Sequence, residues 1–72
     1  MGFFDPEKFA SNLRAERARA DLTQEELASK AGISAGAING YESGSYAPGA
    51  DKICALASAL GCTPNDLFCW GK

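Results

Sequence analysis

The sequence predicts an all-α fold, five short helices sharing one core. Three observations carry this. Helix-start signals recur at Asp5-Pro6-Glu7, Thr23-x-x-Glu26, Ser34 and Thr63-Pro64-Asn65-Asp66. Helix-stop glycines follow three of the segments, at Gly32, Gly44 and Gly61. No stretch alternates apolar and polar residues as a half-buried strand would.

Asp5 is a good N-cap, Pro6 suits the first helical position, and Glu7 favours the positive end of the helix dipole. The first helix is expected from about Pro6 to Arg19, with Phe9, Leu13 and then Ala18 or Ala20 facing inward. Arg14, Arg17 and Arg19 lie toward its C-terminal end, where cations are favoured. Thr23-x-x-Glu26 forms a capping box. It opens a second helix whose inner side is Leu27, Ala28 and Ala31, with Leu22 just before the cap. Gly32 supplies the left-handed stop. Ile33 then enters the core and Ser34 caps a third helix, expected over Ala35 to Ser43 with Ile38 and Tyr41 inward. Gly44 ends it, and Ser45 to Gly49 is a connector. A fourth helix spans roughly Ala50 to Leu60, burying Ile53, Leu56, Ala57 and Leu60. Thr63, Pro64 and Asp66 then repeat the start logic, and a short fifth helix carries Leu67 and Phe68 onto the core. Helices this short are marginal alone and depend on that core.

Seventy-two residues bound the chain to one small domain, 1–72, with flexible ends expected at 1–4 and 70–72. The hydrophobic share of 46% is ordinary for a folded protein. No apolar run is long enough to span a bilayer, so no membrane partner is expected. Met1-Gly2-Phe3-Phe4 lacks the basic and apolar regions of a signal peptide, which predicts a cytoplasmic chain. Histidine, the commonest general base, is absent, and Cys54, Cys62 and Cys69 form no C-x-x-C pair. No catalytic residue, metal site or cofactor is expected, and the thiols read as small apolar residues. The net charge is −2.

Two helices joined by a tight glycine turn, at about 23–43, are the usual device for placing a helix in the DNA major groove. The chain resembles the Cro/repressor (XRE-type) helix-turn-helix DNA-binding family. The resemblance rests on Leu13-Arg14-x-x-Arg17, Leu22-Thr23-Gln24-x-x-Leu27-Ala28, Gly32-Ile33-Ser34, Ile38, Tyr41-Glu42-x-Gly44, Pro48, and Leu56-Ala57-x-x-Leu60-Gly61 before Leu67. It covers about Leu13 to Phe68 and implies a five-helix phage-repressor-like helix-turn-helix bundle.

The resemblance also implies roles for particular residues. Arg17 and Glu42 match a family pair that ties the first helix to the end of the third. The alternative is a solvated surface pair worth ~0–1 kcal/mol. Gln24 matches a phosphate contact at the start of the second helix, where free N–H groups suit an anion. The bland reading is a solvated glutamine in a good helix-forming position. Ser43 with Gly44-Ser45-Tyr46 looks like a second phosphate contact, or else a plain helix stop. Ser34, Ala35, Gly36, Asn39 and Gly40, with Ala37 beside them, are expected at the groove. Of these only Asn39 can read a base edge in a bidentate way, on adenine; Ala35 can touch a thymine methyl.

Gly36-x-x-x-Gly40 would leave a smooth strip along this helix. Three explanations stay open: close approach to DNA with shape readout, a protein partner nesting there, or loss of DNA binding. Leu67, Phe68 and Trp70 suggest a homodimer through the C-terminal region, since two-fold symmetry matches palindromic sites. Alternatively, Phe3 and Phe4 fold back over Trp70. The implied function is a sequence-specific transcriptional regulator acting on double-stranded DNA. The alternative is a protein–protein interaction module that keeps the fold.

Overall fold

The computed structural model describes residues 5–45 and 47–68. Five helices follow in order: α1 (Pro6–Arg19), α2 (Gln24–Ala31), α3 (Ala35–Ser43), α4 (Ala50–Leu60) and α5 (Pro64–Phe68). These bounds agree with the start and stop signals in the sequence, because each signal makes the hydrogen bond its chemistry offers. The Asp5 carboxylate accepts from the Glu7 and Lys8 N–H groups at 3.0 and 3.3 Å. Thr23 and Glu26 close a full capping box, with Thr23 Oγ1 accepting at 3.0 Å and Thr23 N–H donating back at 2.8 Å. Thr63 and Asp66 form the same reciprocal pair ahead of α5, at 3.3 and 2.9 Å. At α4 the cap residue is Gly49, with no side-chain bond.

The core joins all five helices. Phe9, Leu13, Leu27, Ile38, Tyr41, Ile53, Leu56, Leu60 and Leu67 are buried, and Leu22, Ala31 and Ile33 pack against them half-buried. Helix α1 lies on α3 and α5, α2 on α3 and α4, and α4 on α5. Burying these side chains is the main favourable contribution, worth about 1.5–3 kcal/mol for each large one. On the inner edge of α1 one alanine joins those expected, and the choice between Ala18 and Ala20 is settled. Ala10 is buried, and beyond the helix end it is Ala20, half-buried, that packs on the core while Ala18 stays exposed. The angular step of about 100° per residue explains this, since Ala20 stands one turn beyond Glu16 and Arg17 on the core-facing edge. A polar tie also crosses α1 and α5: Asn12 Nδ2 donates to the Leu67 carbonyl at 2.7 Å.

Leu67 itself is fully buried within its own chain. This corrects the expectation that Leu67 contributes to a dimer surface, because its side chain is already used by the monomer core. The Phe68 side chain and Trp70 lie outside the described residues, as do Phe3, Phe4 and Tyr46.

The ends of the helices use left-handed residues. Gly32 has φ +70° and turns the chain sharply between α2 and α3, its N–H bonding the Ala28 carbonyl. The end of α1 achieves the same turn without glycine. Asp21 stands at φ +60°, the one non-glycine residue among those described with positive φ. Its N–H reaches Ala18 O at 3.0 Å, and Leu22 N–H reaches Arg17 O at 3.2 Å. Left-handed backbone costs an ordinary L-residue about 1–2 kcal/mol, somewhat less for Asp, which tolerates it. Asp21→Gly should therefore raise stability by roughly 0.5–1 kcal/mol. A thermal melt should show a midpoint several degrees higher; an unchanged or lower midpoint would mean the conformation carries no strain.

Candidate nucleic-acid interface

Helices α2 and α3 with the Gly32 turn form one bihelical unit. The turn brings Ser34 into position, and its Oγ accepts the Ala37 N–H at 3.1 Å. From Ser34 the direction of α3 is set by the residues it buries: Ile38, Tyr41 and Glu42. At about 100° per residue, Gly36, Asn39, Gly40 and Ser43 fall on the side away from Ile38.

The structure leaves Ser34, Gly36, Asn39, Ser43 and Ser45 exposed. A Cβ built on Gly36 meets nothing within 4 Å. Ala35 and Ala37 are half-buried and pack against the core. Gly40 is half-buried as well. After Gly44 the chain turns so that Ser45 N–H bonds the Gly40 carbonyl at 3.1 Å. The outer strip of α3 is thus narrower than Gly36-x-x-x-Gly40 suggested. Ser43 Oγ donates to the Gly40 carbonyl at 3.1 Å and lies 2.8 Å from Ser45 Oγ, so two hydroxyls meet at the C-terminal end of α3.

Beneath this strip lies a polar knot centred on Glu42, which is only 4% exposed. Arg17 binds its carboxylate with two donors, Nε to Oε2 at 2.6 Å and Nη2 to Oε1 at 3.0 Å. The third arm of the guanidinium, Nη1, donates to the Leu22 carbonyl at 2.8 Å. Gln24 Nε2 donates to Glu42 Oε1 at 3.0 Å. From α1, Arg14 Nη1 donates to the Glu42 backbone carbonyl. No buried side-chain nitrogen or oxygen among the described residues is left without a partner. The Arg17 guanidinium pKa is raised, first by its hydrogen bond to Glu42 and against the opposing effect of burial, so this cation stays charged at any ordinary pH. α1, α2 and α3 all converge on this one carboxylate.

Neither the link from Gln24 to Glu42 nor that from Arg14 was read from the sequence. Gln24 is half-buried, with one amide N–H committed to Glu42 and the other N–H unassigned. Electrostatically the outer surface is sparse. Residues 31–51 contain no Lys or Arg, so α3 and its connector carry no cation of their own. On the far side, Arg19 bonds Glu16 at 2.6 Å. Cys54 is exposed and Cys62 half-buried, both as free thiols. Burial, then the nearby Glu16 and Asp66 carboxylates, raise the Cys62 pKa. No cluster of three or more metal-ligating side chains occurs among the described residues. Nor is any described helix long and apolar enough to cross a membrane.

An all-helical bundle whose second and third helices meet at a glycine turn, with the third presenting a solvent-facing strip, defines the helix-turn-helix class. The helix-turn-helix family HTH_3 matches residues 13–67, and the chain belongs to it. Among solved structures it is similar to the restriction-modification controller protein C.AhdI from Aeromonas hydrophila. That match has 35% identity and a TM-score of 0.86, covering 92% of this chain and 100% of the other. It is also similar to the P22 c2 repressor protein solved with a synthetic operator, at 30% identity and TM-score 0.78, covering 83% and 91%. A hypothetical transcription factor, NHTF from Neisseria, matches at 26% identity and TM-score 0.84, covering 89% and 74%. No curated protein sequence matches the chain.

The asymmetry of burial in the Glu42 knot makes a quantitative prediction. Arg17→Met strands a buried carboxylate with Gln24 alone and should cost about 3–5 kcal/mol. Glu42→Gln leaves a guanidinium that is 23% exposed and can reach water. That change should cost less, about 1–2 kcal/mol. Urea denaturation of the two variants checks the order; equal or reversed losses would show that the carboxylate is not the costly partner.

Proposed function

We propose that this chain is a sequence-specific, double-stranded-DNA-binding transcriptional regulator of the Cro/repressor type. Helix α3 enters the major groove, and occupancy of the site blocks or recruits polymerase. The observation that carries this reading is the exposed strip of α3, with Asn39 pointing outward, mounted on the Glu42 knot. A rigid mount matters because base-edge hydrogen bonds demand fixed register. Asn39 is the one side chain on the strip that can pair with adenine in a bidentate way. Gly36 lets the backbone come close to the groove wall.

Phosphate contacts come from neutral groups in this reading. The uncommitted N–H of Gln24 and the first N–H groups of α2 face one strand. Ser43 and Ser45 face the other. Ser34, Ala35, Ala37 and Gly40 border the contact without reading bases by hydrogen bonds. A two-fold dimer through Phe68 and Trp70 would present two copies of α3 to a palindromic site. Support also comes from the similar proteins: one is a restriction-modification controller and another a repressor solved with operator DNA.

One observation favours a second reading. With net charge −2 and no Lys or Arg across residues 31–51, the α3 surface suits a protein partner as well as a polyanion. Titration of the purified protein against random duplex DNA separates the two. The DNA reading predicts binding at about 50 mM salt that falls steeply by about 200 mM. Gln24→Ala should weaken it on all sequences. Asn39→Ala should relax preference at one base position by about 1–3 kcal/mol, as scored in a selected duplex. Absence of binding at the lower salt would overturn the regulator reading and leave the partner reading.

A further inference from the structure

We propose that Arg14, on α1, is a backbone-phosphate contact, supplying at the end of α3 the positive charge that α3 and its connector lack. This rests on the DNA-binding reading above and adds a residue to it. The starting point is a deficit. Residues 31–51 have no Lys or Arg, yet a phosphate-facing surface gains most of its affinity from cations. The charge must be borrowed from a neighbouring element.

The described cations are few, and their commitments differ. Arg17 is spent: its Nε, Nη1 and Nη2 all bond within the fold. Arg19 is bound to Glu16, on the side near Cys62 and Asp66. Lys8, Lys30 and Lys52 are exposed, and no hydrogen bond joins them to α3. Arg14 differs from all of these. It is exposed, and one guanidinium nitrogen is fixed to the carbonyl of Glu42, in the last turn of α3. The remaining N–H groups of its five-donor fork have no partner among the described residues.

The location matters as much as the availability. Glu42 is followed at once by Ser43, whose hydroxyl meets that of Ser45 at 2.8 Å. Two hydroxyls and a half-committed guanidinium therefore share one end of α3. A planar fork matches a phosphate in a bidentate way, and the bond to Glu42 O already restricts its rotamers. One acid opposes it. Glu7, two turns earlier on α1, brings its Cγ to 3.9 Å from where a Gly44 Cβ would stand.

Arg14 also favours the negative end of the α3 dipole, which is a purely structural benefit. The test therefore reads something structure alone does not move: the slope of log affinity against log salt. Anisotropy titrations of one duplex across a salt series would compare wild type, Arg14→Gln, Arg14→Lys and Glu7→Gln, with a thermal melt of each. Arg14→Gln should lower the slope by about 0.9 and weaken binding about eightfold near 0.1 M salt, while Arg14→Lys keeps the slope. Glu7→Gln should tighten binding, and it decides the matter if Arg14→Gln does not fold. A wild-type slope in Arg14→Gln, or unchanged affinity in Glu7→Gln, overturns the assignment. Wild-type protein that fails to bind DNA at any salt instead removes the reading beneath it.

Discussion

A single buried carboxylate governs the arrangement of the first three helices. Glu42 is taken out of water at the end of α3, and a charge placed there is costly unless its lone pairs are filled. Arg17 from α1 and Gln24 from α2 fill them. Because the donors come from two other helices, α3 has one orientation in which Glu42 is satisfied. Apolar packing alone is less directional, since Ile38 and Tyr41 tolerate small rotations against the core. The polar knot removes that freedom. It does so directly behind the strip that carries Asn39.

The turns serve the same purpose from the outside. Gly32 reverses the chain within one residue and lets Ser34 cap α3 at once. The turn at Gly44 closes the far end, with Ser45 N–H bonded to the Gly40 carbonyl. Between these two closures α3 is only nine residues long, too short to be stable alone. Its shape is imposed by caps and by what it buries. The half-burial of Ala35 and Ala37 follows: a short helix pressed against a core on three inner positions sinks its flanking alanines too.

Much of this fold was legible in the sequence because its signals are local. Capping residues and stop glycines act within three or four positions, so helix bounds could be read from Thr23, Glu26, Gly32 and Gly44 directly. The inner faces followed from periodicity, except that Ala10 went unread and Ala18 and Ala20 stayed open alternatives, because small residues carry little pattern. What spacing could not supply were polar partners distant in the chain. Asn12 and the Leu67 carbonyl are separated by 55 positions. Arg17 and Glu42, 25 apart, were paired through family resemblance rather than through any local rule. The bonds from Gln24 and Arg14 to Glu42 left no mark in residue type, since both side chains suit solvent equally well. Leu67 was expected on the core, but the way α5 closes on α1 is not announced by a five-residue helix.

The two sides of α3 therefore obey different rules. Inward, nearly every atom is held by several others, and a change at Glu42 or Ile38 is felt across the bundle. Outward, Gly36 has open space around it and Asn39 faces solvent. Side chains there add little to folding, so they can vary without loosening the frame that carries them. The molecule thus separates what must stay fixed from what can drift, and single substitutions on this strip can change its surface chemistry at almost no cost in stability.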